Sequence, residues 1–489
     1  MASPDEPAFA ELQSRLRPFE STSDARHSEQ RTVLAIPSMN FDAELLERHA
    51  AEIPALEERC LYTIFALRRP HVRLMVVTSL PVAPEIVDYY LRLIPGAADP
   101  RARLELLSPE DDSPRPLARK LLERPDLLDR LRALAGERDD AFIMPFNVRD
   151  DERDLALALG VPVYGIDHRF ARYGLKSGGR RLFARAGVAH PLGESRLSGT
   201  AELGDALMGL RDARPGLEAA VIKLDDAVYG EGNRVFTLRD LPAPGTPEEE
   251  AAIDVRMRTL PPGYLEQLSG GGVVEELIGG EIRSPSVQLR VLPGGRPVVL
   301  STHDQVLGGE IGQTFVACRF PADPEYAELI TREAHKVGGQ LAREGVIGRF
   351  GVDFVVGRRD GGWEPYAVEI NLREGGTSHP YGALWLLTDG GLAADGASYS
   401  TSAGAAKHYF ATDRLSGPGY DRIPLAAFLR ASAASGVDWN PATQTGAIHF
   451  MLRGLADEGG IGTVAIGDTP AQANAIYLSV ARLHDRLAD

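Results

Sequence analysis

Short apolar runs alternate with helix-type patterns through the first third of the chain. Five runs predict buried strands, at residues 32–36, 72–78, 104–107, 142–144 and 161–164. Between them, helices are predicted at residues 42–66, 84–93 and 117–134, with Pro54 expected to break the first. Strands separated by helices predict parallel βαβ units, and therefore a layered α/β domain over residues 31–165. Residues 1–30 show one short helical patch and are expected to form a loose arm.

The pattern changes after residue 166. Glycine-rich loops interrupt short strand-type runs up to residue 385, which predicts an α+β body with antiparallel sheets. Residues 241–262, rich in Pro, Glu and Arg, are expected to be either an insertion in this body or an exposed helix and loop. The remaining tail is predicted to hold strands at 446–452 and 464–466 and an amphipathic helix at 469–487.

The charge balance argues against two classes of partner. With 53 basic and 69 acidic residues, the formal charge of −16 argues against nucleic acid and against an anionic membrane surface. The N-terminus lacks the apolar core of a signal peptide, and no apolar run approaches the ~20 residues that cross a bilayer. A cytoplasmic protein without membrane contact is therefore expected. Cys60 and Cys318 are too few for a disulfide framework or a zinc motif, and are predicted to be buried thiols.

A predicted β-hairpin, FGVDFVVGRRDGGWEPYAVEIN, places three oxygen-bearing side chains together. Both arms alternate like strands, and the segment between them carries an Asp-Gly turn signal. Folding the hairpin about Gly361 puts Asp353 opposite Glu369, and Asn371 points to the same face as Glu369. Two carboxylates and an amide suit Mg²⁺, a hard cation that takes few protein oxygens and completes its octahedron with phosphates. The alternative is a solvated hairpin face whose charges pair with nearby arginines.

Two lysines and a glycine-rich loop precede this hairpin. Lys176 begins a basic, helix-type stretch, and Lys223 ends an apolar strand in AAVIKLDDAVYGEGNRVF. The loop after Lys223 contains Gly230 and Gly232. A lysine above such a loop neutralises phosphate oxygens while the N–H groups of the loop close over them. The loop is therefore expected to act as a lid.

The segment VVEELIGGE offers a binding edge for a nucleoside. Glu275, Glu276 and Ile278 are placed to hold adenine, and Glu281 to hold ribose hydroxyls. The order and spacing of these pieces is more specific than any one of them, since a lone surface lysine or glutamate is usually only solvated.

At this point the chain resembles the ATP-grasp superfamily. The matching residues run, in the order of that family, from Lys176 through Lys223, VEELIGGE and GVDF to EIN, over residues 170–381. The resemblance implies an N-terminal α/β (pre-ATP-grasp) domain at 31–165 and an ATP-grasp body at 166–385. It also implies that two α+β subdomains of the body grip ATP, with a lid subdomain at about 185–275, and that a small C-terminal domain covers 386–489.

The resemblance also implies a role for each matching residue. Lys176, Lys223, Gly230 and Gly232 would contact the phosphates of ATP, Glu275, Glu276 and Ile278 the adenine, and Glu281 the ribose. Asp353, Glu369 and Asn371 would hold one or two Mg²⁺, with Mn²⁺ as an alternative. Arg373 would face the transferred phosphoryl group, and Arg290 is expected to be a second clamp.

Two features depart from related ligases. The segment that ends at Glu281 is one residue shorter than in D-alanine–D-alanine ligase-like members, which puts the ribose role of Glu281 in doubt. Those ligases also have an arginine where this chain has Gly351, and Arg349 on the same strand face is a candidate substitute.

The sequences EINLREGGTSHPY and GAIHFMLRGLADEGGIGTVAIGDTPAQANAIY are similar to peptide ligases related to that of pheganomycin biosynthesis. This implies an ADP-forming carboxylate–amine ligase that works through an acyl phosphate in natural-product biosynthesis. Its reactants would be a small-molecule carboxylic acid and an amine or peptide. Related ligases are often dimers, so a homodimer is one expected state.

Two other function classes stay open on the sequence alone. One is another ATP-grasp phosphotransfer or a biotin-dependent carboxylation, although the sequence contains no biotin-carrier segment. The other is a non-catalytic ATP-binding regulator, which would have less need of the complete set Asp353, Glu369 and Asn371. His379 is either a base or acceptor-binding group, or a structural histidine beside Pro380.

Overall fold

The N-terminal part of the chain folds around a four-stranded parallel sheet. The computed structural model describes residues 6–16, 30–136, 140–227, 232–308 and 314–489. The first sheet has the order β3-β2-β1-β4, with β1 Arg31–Ile36, β2 Val72–Val77, β3 Leu104–Leu107 and β4 Ala141–Pro145. Its helices are α1 Glu6–Ser14, α2 Ala43–Arg48, α3 Ile53–Glu57, a 3₁₀ helix Glu58–Arg68, α4 Pro84–Arg92, α5 Leu117–Leu122, α6 Pro125–Ala135 and α7 Asp150–Leu159. The predicted parallel α/β architecture is confirmed.

One predicted strand, at residues 161–164, is wrong. The segment meets β4 through a single bridge between Val163 and Ile143. Pro162 has no N–H to donate, and the N–H of Val163 is bonded to the side chain of Gln13 at 2.7 Å. Gln13 belongs to α1, whose apolar residues join the core of this domain. The helical patch of the predicted arm is therefore docked, and the rest of the arm lies outside the described residues.

A small antiparallel sheet follows, with the order β5-β8-β6-β7. Its strands are β5 Gly193–Ser195, β6 Ala219–Leu224, β7 Asn233–Thr237 and β8 Gly272–Glu276. The neighbouring helices are α8 Lys176–Ala186, α9 Thr200–Ala213, α10 Pro247–Met257 and α11 Tyr264–Gln267. We call this unit the lid sheet. The predicted insertion at 241–262 contains α10.

A nine-stranded sheet forms the centre of the molecule. Its main order is β14-β13-β10-β11-β12-β17-β19-β18, and β9 pairs with β13 beside this path. The strands before residue 385 are β9 Ile282–Arg283, β10 Pro285–Val291, β11 Pro297–Gly308, β12 Thr314–Phe320, β13 Gly348–Arg359 and β14 Gly362–Asn371. The helices of this region are α12 Pro324–Arg343 and α13 Ser378–Thr388. Neighbouring strands along this path are antiparallel, in agreement with the α+β class predicted for the body.

The C-terminal tail continues the same sheet. Its elements are β15 Gly391–Leu392, β16 Tyr399–Ser400, β17 His408–Ser416, α14 Leu425–Ser435, β18 Gly446–Phe450, α15 Gly454–Glu458, β19 Gly460–Gly467 and α16 Pro470–Ala488. The two predicted tail strands and the final helix are confirmed. Because β17 pairs with β12, strands from both sides of residue 385 share one sheet. The domain boundaries remain predictions.

Strand β13 separates the apolar core from a polar face. Phe350, Val352 and Phe354 are buried on one side, in a cluster that includes α12. Each fully buried apolar side chain contributes roughly 1.5–3 kcal/mol of burial free energy. Because side chains alternate along a strand, this packing directs Asp353 to the opposite face. The core thus determines which face of the sheet carries the polar group.

No helix in the described ranges is long and apolar enough to cross a bilayer. Cys60 and Cys318 are both free and buried, as predicted.

A buried carboxylate connects the N-terminal domain to the C-terminal tail. The side chain of Glu58 is 1% exposed and accepts the backbone N–H of Arg453 at 3.1 Å. The guanidinium Nε of Arg453 lies 3.4 Å from the same carboxylate. Burial raises the pKa of Glu58 to about 7, although the contacts with Arg453 partly offset it.

Because the pKa of Glu58 is raised in the folded protein, ionisation of this carboxyl lowers the stability of the fold as the pH rises. The folded protein binds the proton of Glu58 more tightly than the unfolded chain does. Its contribution to stability is therefore complete below the ordinary pKa of 4.5 and is lost as the pH rises through about 7. Glu58→Gln removes this loss, so we expect the stability of the variant relative to wild type to rise by roughly 2–3 kcal/mol between about pH 5 and about pH 8.

Urea unfolding at the two pH values measures this difference. Glu85→Gln, which changes an exposed glutamate in the same domain, is the matched control and should show no such rise. A difference between Glu58→Gln and wild type that is equal at both pH values would contradict the prediction.

Candidate active site

The predicted hairpin is present, and its register brings the three predicted ligands together. Asp353 pairs directly with Glu369 across β13 and β14, and Asn371 pairs with Gly351. A register shift directly after Asp353 leaves Val368 as an extra residue in β14. The side-chain amide of Asn371 donates to Asp353 Oδ2 at 2.9 Å. The predicted pairing of the two carboxylates is confirmed.

Each carboxylate of this pair has a second polar contact. Asp353 Oδ1 accepts a hydrogen bond from Gln305 Nε2 at 3.0 Å, and Glu369 Oε1 lies 2.7 Å from Lys176 Nζ. Burial, followed by the charge of Glu369, raises the pKa of Asp353. Burial also acts to raise the pKa of Glu369, but Lys176 and then Arg373 outweigh it and hold that pKa below its usual range.

The oxygen atoms of this group fit a magnesium ion that also binds phosphate. A divalent cation between the carboxylates would relieve the burial and repulsion that raise the pKa of Asp353. Asn371 gives its nitrogen to Asp353, so its amide oxygen stays available as a ligand. Among the described residues, no group of three or more His, Cys, Asp or Glu side chains is arranged to hold a metal ion by itself. Few protein ligands, all of them oxygens, suit Mg²⁺ rather than a metal enclosed by protein groups.

The N-terminus of α8 positions Lys176. Asp225 accepts the backbone N–H and the hydroxyl of Ser177, both at 2.7 Å, and so caps the first turn. A Cβ atom on Gly178 would lie 1.6 Å from the carbonyl oxygen of Arg172, so only glycine lets α8 approach this closely. The Nζ of Lys176 also donates to a backbone carbonyl, at 3.0 Å. The lysine is therefore held at the carboxylate pair from its own helix.

Lys223 and Glu275, which were predicted to bind phosphate and adenine, contact each other in the lid sheet. Lys223 Nζ lies 2.6 Å from one oxygen of Glu275, and Arg180 lies 2.7 Å from the other. Burial acts to raise the pKa of Glu275, but Lys223 and then Arg180 lower it below its usual range. The carboxylate of Glu275 is thus satisfied by two cations, and the residue also pairs with Gly193 of β5 and Val221 of β6, so its contact with adenine stays a prediction.

The other predicted nucleoside residues are divided between a cavity and the surface. Glu276 and Ile278 line a cavity of about 530 Å³ at the edge of the lid sheet. The carboxylate of Glu276 accepts the backbone N–H of Leu192 at 2.9 Å. Glu281 is half-exposed, pairs with Arg283 at 3.2 Å and lines none of the three cavities described here. The structure does not bring Glu281 together with the other two.

The two predicted loop glycines are only partly described. The carbonyl oxygen of Gly232 accepts the backbone N–H of Leu224 at 3.2 Å and the hydroxyl of Tyr264 at 2.7 Å. These two hydrogen bonds hold the start of β7 against β6 and α11. Gly230 lies outside the described residues, as does most of the predicted lid loop.

The two predicted arginines differ in position. Arg373 lines two cavities beside the carboxylate pair. Arg290 is buried on β10 opposite Arg349, four residues along the strand from the partner of Asp353, and lines none of the three cavities. Its Nε has no hydrogen-bond partner among the described residues. Arg349 was a candidate to replace the arginine that related ligases have at the position of Gly351. Its side chain forms an ion pair with Glu374 at 3.3 Å.

Two cavities meet at Glu369, Asn371 and Arg373. The first, of about 340 Å³, extends from Lys176 towards the N-terminal domain. The second, of about 140 Å³, extends in another direction over β10 and β17. We call the second one the inner cavity. Its remaining lining residues are Arg59, Phe146, Ser286, Gln288, Gln305, Phe315, Asp353, Gly375, Gly376, Thr377 and Asp413. Two separate spaces therefore open on either side of the same group.

Several residues of the inner cavity were not predicted. Arg59 and Asp413 form an ion pair of 2.5 Å although 354 residues separate them, and Gln305 is 48 residues from Asp353. No local pattern signals contacts over such distances. His379 is buried and lies 3.5 Å from Asp413, and burial holds its pKa well below the usual value. At neutral pH this imidazole is uncharged.

Comparisons with known proteins agree with this arrangement. The pre-ATP-grasp domain family model matches residues 75–161. The L-propargylglycine–L-glutamate ligase of Streptantibioticus cattleyicolor is 35% identical over 378 residues, which cover 75% of this chain and 76% of that protein.

Two solved structures share the fold at low sequence identity. The biotin carboxylase β,γ-ATP complex from Campylobacter jejuni has a TM-score of 0.55 at 13% identity, covering 94% of this chain and 95% of that one. Carboxyaminoimidazole ribonucleotide synthase from Aspergillus clavatus, complexed with ATP, has a TM-score of 0.51 at 12% identity, covering 94% and 100%. Together with the ligase from Streptantibioticus, these findings show that the chain belongs to the ATP-grasp carboxylate–amine ligases.

Proposed function

We propose that this protein is an ADP-forming ligase that joins a carboxylic acid to the amine of an amino acid or peptide through an acyl phosphate. One observation carries the proposal: the Asp353, Glu369 and Asn371 group lies where two cavities meet. A phosphoryl group bound at this junction would be within reach of both a nucleotide and a second substrate. The name of the relative from Streptantibioticus, which specifies two amino acids, supports amino-acid reactants.

The two-step route follows from the chemistry of carboxylates. A carboxylate is a poor electrophile, so its oxygen first attacks the γ-phosphorus of ATP, and ADP leaves with the electron pair of the broken P–O bond. The amine then attacks the acyl carbon and releases phosphate. Neither step requires a nucleophilic side chain, and both gain from positioned positive charge.

The residues of the site would supply this charge. Lys176 and Arg373 border the junction and would neutralise oxygens of the transferred group. Mg²⁺, or Mn²⁺ in its place, would be held by Asp353, Glu369 and Asn371 and would neutralise and align the phosphates. ATP and Mg²⁺ are typical of this family. Lys223 lies in the lid sheet, where its charge helps to lower the pKa of Glu369, and we propose that it also contacts the phosphates.

The biological setting and the assembly are also part of the proposal. The similarity to a ligase of amino acids supports a role in the biosynthesis of a small peptide-like natural product. We further propose that the protein acts in the cytoplasm on small molecules, as a homodimer, and without nucleic-acid or membrane partners.

Product analysis tests the proposed reaction. The protein would be incubated with ATP, Mg²⁺ and pools of carboxylic acids, each with and without an amino-acid or dipeptide pool. We expect ADP to appear with an acid plus an amine, together with a product whose mass equals their sum less water. A stable phosphorylated product would instead indicate a kinase. ATP binding without ADP formation in any pool would contradict the ligase proposal.

Variants of the carboxylate pair test the metal site. Asp353→Asn and Glu369→Gln keep the side-chain volume but each remove one charge, so we expect turnover to fall at least about a thousandfold while the fold is retained. Circular dichroism and thermal unfolding would check the fold. Glu364→Gln changes an exposed carboxylate on the same hairpin and should keep normal activity. Near-wild-type turnover in both site variants would refute the metal assignment.

A further inference from the structure

The ion pair between Arg59 and Asp413 lines the inner cavity. Arg59 comes from the 3₁₀ helix of the N-terminal domain, and Asp413 comes from β17 of the tail. Their side chains are only 13% and 19% exposed, and both line the cavity that also reaches Arg373. We propose that this pair binds the charged head of a free α-amino acid, the acceptor, with Asp413 holding its ammonium group and Arg59 its carboxylate.

This inference rests on the proposed function and narrows it. The sequence leaves both an amino acid and a peptide open as the acceptor. In an α-amino acid the ammonium and carboxylate groups share one carbon, so both reach two neighbouring side chains. In a dipeptide the terminal carboxylate lies at least one residue, about 3.5 Å, further from the amine. A bound pair of opposite charges 2.5 Å apart therefore matches the amino acid and not the peptide.

Unpartnered polar atoms in and around the cavity support a polar occupant. Arg59 uses one terminal nitrogen for Asp413, and its buried Nε has no hydrogen-bond partner among the described residues. The hydroxyl of Ser286, which is 1% exposed and lines the same cavity, likewise lacks a described partner. Buried polar groups without partners are costly in a folded protein, and a bound ligand would satisfy them.

A glycine keeps the carboxylate of Asp413 accessible. A Cβ atom on Gly376 would lie 3.2 Å from Asp413 Oδ2 and 2.9 Å from the ring of Phe315. Any larger side chain at this position would therefore cover the carboxylate or displace the ring. The size of the cavity, about 140 Å³, suits the head of one amino acid.

The environment of Asp413 also suits a group that takes a proton from the acceptor. Burial raises the pKa of Asp413 above its usual value, although Arg59 partly offsets this, and the neighbouring His379 is uncharged. In the second step the ammonium group loses two protons, one before and one during amide formation. The nitrogen bonds to the acyl carbon, and the C–O bond to phosphate breaks. One proton ends on the released phosphate, and the other passes through Asp413 to solvent.

Acceptor discrimination tests the inference separately from the first step. Hydroxylamine traps the acyl phosphate as a hydroxamate, and it requires neither an α-carboxylate nor removal of an ammonium proton. Hydroxamate formation from a panel of acids would identify the donor. The kcat/KM for the best amino-acid acceptor would then be compared with that for its own α-amide and for a dipeptide that begins with the same residue.

We expect wild type to prefer the free amino acid over both analogues by at least about tenfold, because the analogues leave Arg59 without its partner. Arg59→Gln should lose most of this preference. Asp413→Asn should lower kcat/KM with all three acceptors by at least about tenfold. Both variants should keep hydroxamate formation within about twofold of wild type, which also shows that they fold and activate the acid.

Arg69→Gln is the matched control. The Arg69–Asp389 pair is 2.8 Å long, has similar exposure (17% and 25%) and also connects the N-terminal domain to the rest of the chain, but it lines none of the described cavities. This variant should keep the wild-type preference. Hydroxamate formation with equal use of amino acid and amide by wild type, or an unchanged preference in Arg59→Gln, would overturn the inference alone. Failure of every acid to give hydroxamate would overturn the proposed ligase function and the inference with it.

Discussion

The site depends on two partly buried carboxylates held directly opposite each other on neighbouring strands. Like charges at this distance repel, and the repulsion is tolerated only where cations stand close by. Here Lys176 stabilises Glu369, and Gln305 and Asn371 hydrogen-bond to Asp353. The repulsion between the two carboxylates lowers the stability of the fold and concentrates negative charge at the junction of two cavities. A concentrated negative site of this kind suits the divalent cation and phosphate that we propose it binds.

Local patterns were sufficient to predict this hairpin. The alternation of residues along each arm predicts which residues share a face. The observed turn pairs Arg359 with Gly362, so its centre lies before Gly361, and the extra residue Val368 restores the predicted pairing of Asp353 with Glu369. The core supports the same arrangement, because the buried side chains of β13 leave only one face for Asp353. The position of a residue along a strand, and the burial of the apolar face of that strand, can therefore be predicted from the local sequence.

Contacts between segments that lie far apart in the chain could not be predicted from the sequence. The pairing of Lys223 with Glu275 depends on how strands of the lid sheet align, which no single segment encodes. The strand predicted at 161–164 failed for a related reason, since the competing partner of its backbone is Gln13, 150 residues earlier. Arg59 and Asp413 are the extreme case. No pattern around either residue indicates a site, and only the fold brings the two side chains together across 354 residues.

The continuous sheet has a consequence for the order in which the protein is completed during synthesis. Translation proceeds from the N-terminus, and domains generally fold as their residues emerge. The hairpin of β13 and β14 is local and is available to form as soon as residue 371 has left the ribosome. The inner cavity forms later, because one of its lining residues belongs to β17, which begins at residue 408. This strand pairs with β12 along one edge and with β19 along the other. A nascent chain would therefore acquire the Asp353–Glu369 pair well before it acquires the enclosure that, in the proposed reaction, keeps water away from a reactive intermediate.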